Sequence, residues 1–126
     1  MEITVREFKH AVLITITERL DGSTAPAVED VLESLQYQGK YKLVIDISRL
    51  EYISSAGYRV LLSAQRNSMR YERGEVILVG VPEPIRETLD ISGFTAHFKT
   101  YNEISAVPDL EGQLAADDSP TDAKNS

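Results

Sequence analysis

The chain contains no cysteine and no tryptophan. Without cysteine there are no disulfides and no thiolate metal sites, which fits a reducing compartment such as the cytoplasm. No apolar run is long enough to span a bilayer, and no basic region followed by an apolar stretch opens the chain as a secretion signal would. Basic residues are in deficit: the net charge of −7 argues against nucleic acid as a partner, since phosphate binding needs a basic patch. Neither G-x-G-x-x-G nor G-x-x-x-x-G-K-[ST] is present, and no His or acid cluster has metal-ligand spacing. The two histidines, His10 and His97, lie in unlike settings, so a Ser-His-Asp triad could be assembled only by assumption. These absences argue against an enzyme, a metalloprotein or a protein with a cofactor of its own.

What is present suits one soluble domain: 126 residues, 42% of them apolar. Ile3–Phe8 and Ala11–Ile16 read as an antiparallel hairpin, with His10 a solvated turn residue. Thr24 is a candidate N-cap with Pro26 in the first turn. Ala27, Val28, Val31, Leu32 and Leu35 then repeat at helical spacing up to Gly39. Asp21, before that helix, reads first as a turn residue bonding its own backbone and second as a residue lining a ligand site. Lys42–Ile47 is almost wholly apolar, as a strand covered on both faces would be. Asp46, near its end, stands where a receiver domain carries its phosphoacceptor. The acidic pair that such a domain needs after its first strand is missing, so Asp46 is expected to bond nearby backbone.

A second helix is predicted after Gly57, running to about Tyr71, with Arg59, Arg66, Arg70 and Arg73 on its polar face and last turn. Glu75–Gly80 is the next buried strand, and a short helix follows over 85–90. A last strand is flanked by Phe94 and Phe98, and Asn102 is placed to cap a fourth helix from Glu103. The pattern predicts an α/β domain over residues 1–107: a mixed sheet of about five strands, an N-terminal antiparallel hairpin with the remainder parallel, and about four helices. Residues 108–126 are acidic and poor in large apolar groups, and disorder is expected beyond about residue 112. Residues 105–126 carry five acids and one lysine, net −4, which leaves −3 for the rest.

The stretch most suggestive of function is Asp46-Ile-Ser-Arg-Leu-Glu-Tyr-Ile-Ser-Ser-Ala-Gly-Tyr-Arg-Val-Leu-Leu62. A serine pair meets a helix start, where free N–H groups and the positive dipole end favour a serine oxygen or a phosphate. On residues alone Ser54 or Ser55 is an N-cap. Tyr52 and Ile53, however, are apolar in a connection expected to be polar. Gly57 sits in the first turn, where it costs stability but lets another group come close. With Ala56, Arg59 and an exposed Tyr58, the stretch reads as a docking surface.

This stretch, with Leu20-Asp21 and Leu89-Asp-Ile-Ser-Gly-Phe94, resembles the STAS family and within it the bacterial anti-sigma factor antagonists. The family's core pattern is Asp-Ser-(Ser, Thr or Ala)-Gly, with phosphorylation on the serine after the Asp. Matching on Gly57 puts Ser55 at the phosphorylated position and Ala56 at the variable one, while Ser54 stands where the Asp usually does and is the lesser candidate for modification. The resemblance implies partner switching. The unmodified turn, comprising Asp21, Tyr52, Ile53, Ser54, Ala56, Gly57, Tyr58 and Arg59, docks on an anti-sigma factor with serine kinase activity and frees a sigma factor. Phosphorylation of Ser55 ends the contact, and a PP2C-type phosphatase restores it. ATP belongs to the kinase. Two other readings stay open: a non-phosphorylated STAS subunit of a transporter or stressosome-type complex, and a small-ligand or nucleotide-binding module using Asp21 and the start of the second helix.

Overall fold

A computed structural model describes residues 1–91 and 93–110. The hairpin forms as expected, β1 (Ile3–Glu7) pairing antiparallel with β2 (Val12–Ile16). Beyond it the chain winds through α1 (Ala25–Tyr37), β4 (Leu43–Asp46), α2 (Ser55–Met69), β6 (Val76–Val79), α3 (Glu83–Ile91) and β7 (Lys99–Tyr101). Two short strands, β3 (Glu18–Leu20) and β5 (Leu50–Ile53), lie outside the main sheet and pair with each other. The main sheet has the order β1-β2-β4-β6-β7, and every pairing after the hairpin is parallel. The predicted mixed five-stranded sheet is therefore present.

The central strands β4, Asp46 apart, and β6 are apolar because both of their faces are covered. Leu43 and Ile45 of β4, with Val76 and Leu78 of β6, join Val28, Leu32, Leu61 and Ala64 of α1 and α2 in one core cluster. Val44, Ile77 and Val79 point the other way, onto Phe8, Val107 and Leu110. Packing thus continues to Leu110, into the segment assigned by composition to the tail. The predicted disorder beyond about residue 112 lies outside the described residues.

Several details differ from expectation. In α1 Ala25 is buried and Ala27 exposed. Helix α2 stops at Met69, two residues early: Arg70 is extended (ψ 133°), and Tyr71 and Glu72 take positive φ, closing a 3-10 turn. The last strand follows Phe98, whereas residues 94–97 form a 3-10 turn. The fourth helix expected from Glu103 is a single 3-10 turn, Ile104–Ala106, so the described residues hold three α-helices. Pro108 accounts for this, since a residue before proline is pushed out of helical geometry, and Val107 is extended.

Candidate functional site

The site is built where the two short strands deliver the chain to its helices. Strand β3 ends in Leu20 and turns through Asp21 into α1, while β5 ends in Ile53 and turns through Ser54 into α2. The strands run parallel with Leu20 beside Ile53, so both helix starts lie side by side. The Ser54 N–H donates to the Leu20 carbonyl at 2.9 Å, which locks the second turn to the first.

Ser54 is the N-cap of α2: its backbone is extended (φ −102°, ψ 176°) and its Oγ accepts from the Gly57 N–H at 3.4 Å. Where the family pattern carries an acid, this chain keeps the capping chemistry with a hydroxyl. Ser55 is the first helical residue and is exposed. Of the first four N–H groups, those of Ser54 and Gly57 are bonded as described. Those of Ser55 and Ala56 have no helical acceptor, and the first turn carries no acid. Ser54→Ala is expected to destabilise the fold by about 0.5–1 kcal/mol, the low end for a cap because the bond is long. Ser54→Asp should instead stabilise it by about 0.3–1 kcal/mol through the helix dipole. Urea unfolding of both variants checks the pair of signs.

Asp21 behaves as its first reading predicted. Its carboxylate accepts from the Ser23 hydroxyl at 2.8 Å, the Ser23 N–H at 3.0 Å, the Thr24 N–H at 3.3 Å and Arg19 Nε at 3.2 Å. It does the capping expected of Thr24, whose own hydroxyl donates to the Arg19 carbonyl and makes no cap bond. The Ser23 bonds, hydroxyl first and N–H second, hold the Asp21 carboxyl at a pKa of about 2, below its ordinary 3.8. A depressed carboxyl stabilises the fold above its unfolded pKa, and that contribution is lost as pH falls from about 4 through 2. Asp21→Asn should therefore flatten the decline in stability across that window, read from denaturation midpoints. The Asp21 oxygens are thus engaged by its own loop.

Arg19, which sequence reasoning did not single out, links the two turns: it bonds Asp21 and lies over the Tyr52 ring at 4.4 Å. Tyr52 and Arg19 are exposed, and together they form a cation–π ridge beside Ser55. Two residues expected on the contact surface support it from beneath. Ile53 is a buried strand residue, and Gly57 is buried against Leu20 and Ile53. Tyr58, expected to be exposed, is half-buried against the core, and burial, with Tyr52 adding, pushes its phenol pKa up. Arg59 is exposed one turn beyond Ser55.

Ser55 and Ala56 thus occupy a crest between two shallow grooves. One, of about 450 Å³, runs from Tyr52 and Tyr58 to Pro84, Ile85 and Thr88 of α3. The other, of about 490 Å³, runs between α1 and α2 past Gly22, Pro26, Arg59 and Ser63. Asp46 accepts from the Ser48 N–H at 2.9 Å, the structural role expected of it. Among the described residues no group of three or more His, Cys, Asp or Glu could hold a metal ion, and no helix is long and apolar enough to cross a membrane.

BtrV of Bordetella bronchiseptica, named for anti-sigma factor antagonism, is 30% identical over 106 residues, covering 84% of this chain and 90% of that protein. The anti-sigma-B factor antagonist of Listeria monocytogenes is 27% identical over 114 residues, covering 90% and 92%. The Bacillus cell fate determinant SpoIIAA, solved in its phosphorylated form, shares the fold with a TM-score of 0.69 at 18% identity, over 87% of this chain and all of that one. A family signature described as STAS domain matches residues 2–107, and the chain belongs to the STAS family.

Proposed function

We propose that this protein is an anti-sigma factor antagonist, a binding module rather than an enzyme. It docks through the crest around Ser55 on an anti-sigma factor with serine kinase activity, releases the sigma factor held there, and is switched off when the kinase phosphorylates Ser55. A PP2C-type phosphatase resets it. The names of its relatives support the class of function. The observation that carries the switch is the placement of Ser55, an exposed hydroxyl at the first position of a capped helix with two N–H groups beside it and no acid in the turn.

The chemistry follows from that placement. A phosphate on Ser55 adds roughly −1.5 to −2 charge at the positive end of α2, where the dipole and the N–H groups of Ser55 and Ala56 accommodate it. Arg59, four residues on, lies on the same helix face and adds a cation within reach. A partner surface shaped around a neutral hydroxyl has no such compensation. The Ser54 hydroxyl is engaged by its capping bond from the Gly57 N–H, which favours its neighbour as the acceptor.

The test uses the full chain, ATP and the serine-kinase anti-sigma factor of the same genome, with the phosphate mapped by mass spectrometry. Modification of Ser55 is expected. A phosphate on Ser54 or elsewhere, or none at all, rejects the assignment.

A further inference from the structure

The groove that passes Arg59 and Ser63 continues between α1 and α2 into a second hollow of about 200 Å³, which ends at Gln36 and Asn67. The two share Glu29, Ser63 and Arg66, so they form one channel along the helix pair. Its walls differ in sign. Glu29 and Glu33 line it from α1, and Arg59, Arg66 and Arg70 from α2. Both sets follow helical spacing, so each is a single stripe along its helix. Among the described residues no ion pair joins the two stripes, whereas elsewhere on the surface Arg19 pairs with Asp21, Lys40 with Glu7 and Lys42 with Asp109.

The distance between the walls is set from beneath. Gln36 of α1 donates through Nε2 to the Ala64 carbonyl at 2.9 Å and to Ser68 Oγ at 2.8 Å, and its Oε1 accepts from Asn67 Nδ2 at 2.8 Å. A channel held open by buried bonds presents its charges without reorganising first, which favours association.

Large apolar side chains gather at the far end of the same helix pair. The Gln36–Ser68 bond brings the two helix ends together, and with them the last residues of α1 and α2, Tyr37 (93% exposed) and Met69 (54%). Tyr37 stands four residues after Glu33 and Met69 three after Arg66, so each extends its stripe. Tyr71 follows, 83% exposed, on a turn where it and Glu72 take φ of 59° and 58°, a region that non-glycine residues enter at a cost. Arg73 braces that turn, its guanidinium 5.6 Å from the Tyr71 ring and 3.9 Å from the Tyr41 ring. Scattered exposed apolar residues need no explanation, but three at one end of a charged channel mark a contact surface.

The charges identify the occupant. A wholly acidic or wholly basic surface would be repelled by one of the walls. A surface carrying both stripes in reversed order satisfies both. A second copy of this chain, turned about a two-fold axis along the channel, presents that order, with α2 over α1 and α1 over α2. We infer that α1 and α2 form the self-complementary interface of a homodimer, the acidic stripe of each copy lying on the arginine stripe of the other and the apolar ends closing on one another. The dimer does not depend on the switch proposed at Ser55.

Sedimentation equilibrium of the full chain is expected to show a dimer with a dissociation constant in the micromolar range, weakening as salt rises. Glu29→Lys with Glu33→Lys, and separately Arg66→Glu with Arg70→Glu, should each weaken it by about 30-fold through four lost surface pairs. The first change takes the net charge from −7 to −3, two units for each residue, so overall repulsion falls and cannot explain a loss of association. Mixed one to one, the two variants set lysines against glutamates and should form a heterodimer of wild-type affinity. Tyr37→Ser, at an exposed side chain, should weaken the wild-type dimer by about tenfold. A chain still monomeric at about 1 mM, a dimer indifferent to both reversals, or a mixture no tighter than its components would overturn the proposal. The first of these outcomes would leave the channel to a partner of another sequence.

Discussion

Ser55→Glu is expected to weaken binding to the serine-kinase anti-sigma factor by about 30-fold, and phosphorylation of Ser55 by up to about 150-fold, while leaving the fold intact. These figures correspond to roughly 2–3 kcal/mol of lost binding free energy. They follow from opposite effects of one charge in two environments. In the free protein the side chain at position 55 is exposed at a helix N-terminus with no acid in its first turn, so negative charge is tolerated or mildly stabilising. In the complex the same charge would be desolvated against a surface complementary to a hydroxyl, a cost the free protein does not bear. Glutamate carries one charge and phosphate nearly two, hence the graded effect. Ser55→Ala should keep near-wild-type affinity and lose regulation, because the hydroxyl is not a structural cap. Isothermal titration of the variants with the kinase, beside their melting temperatures, separates the readings. An unchanged Ser55→Glu affinity, or a melting point that falls along with affinity, would remove the electrostatic switch.

Gly57→Ala is expected to destabilise the domain by about 1–3 kcal/mol, with a larger loss for Gly57→Val. Alanine is the better helix former by up to about 1 kcal/mol, so at an open helical position the change would stabilise. Here a Cβ would stand 2.7 Å from the Leu20 carbonyl oxygen, 2.8 Å from Leu20 Cγ and 2.9 Å from Ile53 Cγ1. The nearest of these is backbone, and that carbonyl is committed to the Ser54 N–H, so relief requires parting the two helix starts. The clash outweighs the propensity gain. For a domain of this size each kcal/mol lowers the melting temperature by about 4–8 °C. Gly22→Ala provides the control: no atom lies within 4 Å of its added Cβ, and its effect should stay within about 0.5 kcal/mol. A Gly57→Ala variant as stable as the wild type would mean that the close contact relaxes freely.

How much of this was legible in the sequence depended on how local each cause is. Strands β4 and β6 show themselves as dense apolar runs because burial on both faces leaves little room for polar residues, and the hairpin shows itself as two β-branched runs around a polar turn. A cap at Ser54 or Ser55 and the Asp21 turn were legible for a similar reason, since each completes its hydrogen bonds within a few residues. The β3–β5 pair was not legible. Its strands have three and four residues, the register shifts between Glu18 and Arg19, and Leu50–Ile53 buries only its two ends. Tyr52 and Ile53 looked like surface apolar residues because nothing local reveals that Ile53 faces a strand thirty-odd positions earlier. The buried polar residues of α2 were missed for the same reason. Gln65 exchanges hydrogen bonds with the backbone of Val76 and also donates to the His97 carbonyl, and Ser68 accepts from Gln36. Arg19 joins the site only through the fold, as do Ile85 and Thr88.

Leu20 holds both turns, its carbonyl tied to Ser54 and its side chain pressed on Gly57. The serine motif is therefore only half of the device, and the other half sits more than thirty residues upstream. A synthetic peptide copied from residues 46–62 would carry every letter of the motif and none of the alignment that presents Ser55. On the function proposed above, a kinase acting on this serine would meet a folded epitope rather than a linear consensus, and transplanting the switch to another protein would require both strands.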